Sequence, residues 1–123
     1  MLGSCDLVAF VGTTDPARAR SFYRDTLGLA LVDSSQIADT FGAPGATLRV
    51  TVVERVHPAP YTVLGWRVPD IAAAIGELSG RGVLFARYPG MDQDDLGVWR
   101  SPGGARVAWF RDPDGNTLSL TEP

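Results

Sequence analysis

The sequence predicts an α+β fold made of two βαβββ modules, and three observations carry that prediction. The chain repeats itself. Pro44-Gly45-Ala46-Thr47-Leu48-Arg49-Val50-Thr51 matches Asp114-Gly115-Asn116-Thr117-Leu118-Ser119-Leu120-Thr121 at an offset of 70 residues, and residues 8–15 match 63–70 at an offset of 55. Each copy places an aspartate, Asp15 or Asp70, just before an apolar run of helical period. Each copy ends in a strand of strict alternation, Leu48-Arg49-Val50-Thr51 in one and Leu118-Ser119-Leu120-Thr121 in the other. A four-stranded sheet with one helix buries one face, so two copies are expected to share a core and leave a concave surface between them. The expected organisation is a single domain over 1–123, with module 1 at 4–56, a linker at 57–60 and module 2 at 61–123.

Taken in order, residues 7–11 form the first strand. Asp15-Pro16 opens a helix with a good cap and a proline suited to the first position. Ala19, Phe22, Tyr23 and Leu27 follow at helical spacing, and Gly28 ends the run. Strands are expected at 29–32, 36–40 and 47–53, with 41–45 as a turn. Residues 55–60, with two prolines and His57, read as a linker. The pattern then restarts with a strand at 63–68 and a helix capped by Asp70, carrying Ile71, Ala74, Ile75 and Leu78 on one face. Residues 83–88 read as another strand and 89–96 as a loop carrying Asp92, Asp94 and Asp95. A hairpin over 97–110 leads into Asp112-Pro113-Asp114-Gly115, a turn whose proline presets φ and whose glycine accepts positive φ.

Composition narrows the chemistry. The 123 residues are 45% hydrophobic and 20% charged, a globular mix, and the net charge of −3 with no basic stripe argues against a nucleic-acid partner. No apolar run reaches the ~20 residues that span a bilayer, and residues 1–6 lack the marks of a signal peptide, so a cytoplasmic protein without a membrane partner is expected. Cys5 is the only cysteine and His57 the only histidine, which excludes thiolate clusters and two-histidine metal sites within one chain. Cys5 reads as a small hydrophobe and His57 as a solvated linker residue. All 11 cationic side chains are arginine, which removes Schiff-base chemistry and a phosphate-binding lysine.

The run from Asp15 to Leu29, with Phe22-Tyr23 and Leu27-Gly28, together with Trp109-Phe110-Arg111-Asp112-Pro113-Asp114-Gly115-Asn116, resembles the vicinal-oxygen-chelate superfamily, the glyoxalase and bleomycin-resistance fold. The resemblance covers essentially the whole chain. It implies an eight-stranded cleft and a homodimer. Enzymes of that family hold a divalent metal with four residues, and those places fall here at Val8, Arg49, Val63 and Ser119. Two of them offer only carbon, one is cationic and one is a poor lone ligand, so no metal and no cofactor are expected.

Strand parity sorts the side chains. Leu7, Ala9, Val11, Leu48, Val50, Val52, Leu64, Trp66, Val68, Leu118 and Leu120 are expected to pack under the helices. The opposite parity holds the four former ligand places and is expected to face the cleft. Candidate ligand-binding residues on it are Val8, Phe10, Arg49, Thr51, Val63, Arg67 and Ser119, with Trp109 as a pocket wall; Trp109 and Phe110 have opposite parity, and either can face the cleft. No catalytic residue can be named. Three functions stay open: a metal-free protein binding or sequestering an organic small molecule such as a drug or metabolite; a metal-independent lyase or isomerase using arginine as electrophile; and an interaction domain that keeps only the fold. The parity also predicts that any ligand carries a negative or electron-rich group, matched to Arg49 and Arg67.

Overall fold

Leu7–Thr13 forms β1, the first strand of the first of two units, Met1–His57 and Pro58–Pro123, in a computed structural model that describes residues 1–123. After β1 comes α1 (Pro16–Arg20), which runs on into a π-helical turn, Ser21–Thr26. Asp15 caps α1 as expected: its carboxylate accepts from the Arg18 amide at 3.1 Å. The widened turn closes with the Leu27 amide donating to the Phe22 carbonyl at 2.9 Å. β2 (Ala30–Ser34), β3 (Ala38–Ala43) and β4 (Ala46–Val52) complete the unit. The sheet order is β1-β4-β3-β2, with β1 parallel to β4 and the other pairs antiparallel. Tyr23, Phe41, Leu48, Val50, Val11 and Ala19 form its core, with the Tyr23 and Phe41 rings 5.9 Å apart.

The second unit repeats the plan with β5 (Leu64–Arg67), α2 (Ile71–Gly80), β6 (Trp99–Arg100), β7 (Arg106–Arg111) and β8 (Thr117–Glu122), ordered β5-β8-β7-β6. Asp70 caps α2 through the Ala73 amide at 3.0 Å. A second carboxylate, Glu122 from β8, accepts from the Ile71 amide at 2.8 Å, so the helix start is tied to the sheet by a group 51 residues away. Ile71, Ile75, Phe110, Leu118, Leu120 and Ala108 are buried together. Burial of a large apolar side chain of this kind contributes about 1.5–3 kcal/mol. The predicted fold class, two βαβββ modules, is therefore the observed one. No helix is long and apolar enough to cross a membrane.

Four local expectations are corrected. Residues 83–88 form no strand; only the Ala86 amide reaches β7, donating to the Trp109 carbonyl at 2.7 Å. The turn expected at 41–45 shrinks to Pro44-Gly45, because Phe41 pairs with Leu48 and Ala43 with Ala46 inside the β3–β4 ladder. Leu7 has helix-facing parity but is exposed, since it lies at the start of β1. Cys5 is exposed as well, its thiol directed at the Met1 carbonyl.

Candidate functional site

Each sheet has one face against its helix and one opposite face, and the ladder registers assign the candidates to the opposite faces. In the first unit Phe10, Arg49 and Thr40 stand in one row across β1, β4 and β3; Val8, Thr47 and Gly42 form the next, and Gly12, Thr51 and Ala38 the third. Val8 and Phe10 are 50% and 63% exposed, apolar surface left uncovered beside Arg49. Arg49 is the unusual member. Its Nε is buried from solvent and has no hydrogen-bond partner. Buried N–H groups are nearly always paired, so this donor is unsatisfied as it stands.

In the second unit Gly65, Ser119 and Trp109 form the row that corresponds to Phe10, Arg49 and Thr40. Val63 donates its amide to the Thr117 carbonyl at 3.0 Å and lies one rung along, with a half-exposed side chain. Ser119 is buried and leans over Gly65: a Cβ on that glycine would sit 2.9 Å from the serine Oγ. Arg67 stands beside Thr121, exposed, in a shallow groove with Val68, Pro69, Glu122 and Pro123.

The registers also settle the two aromatics whose order the sequence leaves open. Phe110 pairs with Leu118, is buried under α2, and packs against Phe85 at 5.4 Å and Trp66 at 6.3 Å. Trp109 pairs with Ser119 on the opposite face, among Trp99, Tyr88 and Thr62.

The acidic groups are mostly used by the fold. Asp94 of the loop accepts from the Leu96 and Val98 amides, both at 2.9 Å, so it shapes its own turn. Asp92 and Asp95 are exposed. Buried Asp112 accepts from the amides of Asp114 and Asn116, both at 2.9 Å, and from the Asn116 side chain at 2.8 Å. Asp39, also buried, is held by Arg20 of α1 through two bonds of 2.8 and 3.0 Å and by the Ser34 hydroxyl at 2.6 Å. The Arg20 hydrogen bonds hold the Asp39 carboxyl below the usual carboxylate range, against the opposing cost of its burial. Asp39 pairs with Val50, so this ion pair lies on the helix side of the sheet. Nothing in the local sequence signals it, because its partners lie 19 residues apart.

Val8 with Arg49, and Val63 with Ser119, occupy the same diagonal place in their two sheets. Neither pair suits a dication. Valine has no donor atom, and the Arg49 guanidinium directs an unsatisfied N–H, not a lone pair, into this face. No three His, Cys, Asp or Glu side chains converge anywhere in the chain. The residues present do not fit the family's divalent metal.

Two βαβββ modules, each with its helix on one face of a mixed four-stranded sheet, define the class of fold. The model of the Glyoxalase/Bleomycin resistance protein/Dioxygenase superfamily matches residues 6–120, and the chain belongs to that superfamily. Among solved structures it resembles a member of the superfamily from Sphaerobacter thermophilus DSM 20745, at 27% identity over 100% of both chains with a TM-score of 0.73. It also resembles a lactoylglutathione lyase from Agrobacterium tumefaciens, at 18% identity over 97% of this chain and 93% of that one with a TM-score of 0.74. A putative glyoxalase family protein from Bacillus anthracis is similar at 20% identity, with the same coverage and TM-score. These last two likenesses concern the fold alone. No curated protein matches the sequence.

Proposed function

We propose that this chain is a metal-free member of its superfamily that binds an organic small molecule through an anionic or electron-rich group. The buried, unpartnered Nε of Arg49 carries this reading. A guanidinium N–H shielded from water is satisfied best by a carboxylate, a phosphate or a polarised carbonyl. Exposed Val8 and Phe10 beside it supply apolar contact for the remainder of such a molecule. Thr40, Thr47 and Thr51 supply hydroxyls on the same face. A binding role is favoured over catalysis because the two buried carboxylates, Asp39 and Asp112, are held by Arg20 and by the turn and are not offered as bases.

A thermal-shift screen of small non-aromatic organic acids against their neutral amides tests the proposal. A ligand selective for the folded state, at free concentration c, stabilises it by RT ln(1 + c/Kd) and so raises the apparent melting temperature. Acids are expected to stabilise the wild type, the amides are not, and Arg49→Gln is expected to abolish the effect. Equal stabilisation by acid and amide, or by wild type and Arg49→Gln, overturns it.

A further inference from the structure

In the second unit the chain meets the outer edge of β7 at two separate places. Near one end of β7 the Ala86 amide bonds to the Trp109 carbonyl; near the other, Trp99 and Arg100 pair with Val107 and Arg106. Between these places the chain leaves the sheet and returns. One side chain, Gln93, closes the neck of that excursion. Its Oε1 accepts from the Tyr88 amide at 2.8 Å, and its Nε2 donates to the carbonyls of Ala86 at 3.0 Å and Gly97 at 2.8 Å. Gly97, at φ +87, lets the returning strand pass the Ala86 carbonyl. The neck is thus cross-linked by three hydrogen bonds from one amide.

This neck presents two rings to a third. Tyr88 and Trp99 flank it, and both pack on Trp109: Tyr88 edge-on at 5.6 Å and 86°, Trp99 tilted at 6.1 Å and 39°. The Trp109 indole donates its Nε1–H to the Thr62 hydroxyl at 3.2 Å, which fixes the plane of the ring. All three rings are only partly buried. Two residues further along β7, on the same face, stands Arg111, exposed and with no ion pair. That spacing is about 7 Å along a strand.

We infer that this face of the second unit binds a planar aromatic acid, its ring against Trp109 and Trp99 and its carboxylate on Arg111, and that Gln93 is the residue positioning the aromatic wall. Aromatic rings favour offset or edge contact with a flat ligand, and a saturated ring of equal size gains less. A guanidinium at the end of the wall selects anions over neutral analogues. Rings locked before binding lose little freedom on binding, and the Gln93 neck supplies that order. This site belongs to the second unit and does not depend on the reading of Arg49.

The test is an NMR titration of the indole N–H resonances of the three tryptophans, with 2-naphthoate, 2-naphthalenemethanol and cyclohexanecarboxylate as probes. The expected result is a saturable shift of the Trp109 and Trp99 signals with 2-naphthoate, smaller or absent shifts with the other two, and an unmoved Trp66. Arg111→Gln should weaken 2-naphthoate at least tenfold, the scale of a lost charge-assisted hydrogen bond, and leave 2-naphthalenemethanol unchanged. Gln93→Ala should weaken both aromatic probes while Arg111 still discriminates between them. Should Gln93→Ala lose its dispersed spectrum, Gln93→Glu, which keeps an acceptor for the Tyr88 amide, takes its place. No saturable shift, equal shifts with cyclohexanecarboxylate, or unchanged affinity in Arg111→Gln overturns the inference; unchanged affinity in a folded Gln93 variant overturns the positioning role.

Discussion

Arg20 holds Asp39 by both carboxylate oxygens, Nε to Oδ2 at 2.8 Å and Nη2 to Oδ1 at 3.0 Å, tying α1 to β3 in the first unit. The Asp39 side chain is 6% exposed and that of Arg20 37%, so the two partners are not equivalent. Removing Arg20 strands a buried charge; removing the carboxylate leaves a guanidinium able to turn to water. Arg20→Ala is therefore expected to destabilise more than Asp39→Asn, for which about 1–2 kcal/mol is expected from the lost charged hydrogen bonds. Urea unfolding of both variants checks the order.

The same pair sets an acid dependence. The folded-state pKa of Asp39 is lowered by Arg20, so its contribution is full above the unfolded carboxylate value and fades as pH falls through the lowered one. The stability gap between wild type and Asp39→Asn should be constant near neutral pH and narrow below about pH 4. Unfolding midpoints measured from pH 7 to pH 3 give the curve, and a gap that widens on acidification contradicts it.

The β7–β8 turn should be sensitive at two positions. Asp112→Ala leaves the amides of Asp114 and Asn116 without their acceptor in a buried place, at a cost of about 3 kcal/mol. Gly115 has φ +88, and a Cβ there would lie 3.2 Å from Pro58 Cγ, so Gly115→Ala should cost about 1–2 kcal/mol. Calorimetric melting of the two variants measures both.

Elemental analysis of protein purified without chelators is expected to find less than stoichiometric zinc, nickel, iron or manganese. The Val8, Arg49, Val63 and Ser119 set supplies no adequate donor group. A stoichiometric metal lost in Ser119→Ala refutes the metal-free reading.

Self-association is the expected response to the edge of the first sheet. β1 is its terminal strand, and Leu7 is exposed on it, on the face away from Val8 and Phe10. An apolar edge strand is a template for pairing. Light scattering at micromolar concentration should give about twice the 13.1 kDa chain mass, and Leu7→Lys should return it toward the monomer.

What the sequence revealed, and what it hid, follows the range of each interaction. The Asp15 and Asp70 caps and the Asp112 turn close within four residues, and their residue types announce them. The repeat made the two modules legible because each copy supports the other. Arg49 was readable as a candidate from parity, but the isolation of its Nε depends on packing. Whether Trp109 or Phe110 leaves the helix side depends on register with Ser119 and Leu118, which no local pattern states. Residues 83–88 read as a strand by sequence, and the Gln93 amide, an ordinary polar loop residue by sequence, belongs to the neck that interrupts the sheet there.

The Asp112 turn also bears on how the protein ages. An Asp-Gly sequence such as Asp114-Gly115 is prone to close into a succinimide and reopen as isoaspartate, when the glycine nitrogen is free to swing onto the carboxyl carbon. Here the Gly115 N–H donates to the Asp112 carbonyl at 3.0 Å, and the ring of Pro58 stands where a side chain at 115 would project. The native fold therefore shields this bond from its own chemistry, and any molecule that spends time unfolded loses that shield. Isoaspartate at Asp114 becomes a covalent record of past unfolding, written at the point where β7 hands over to β8.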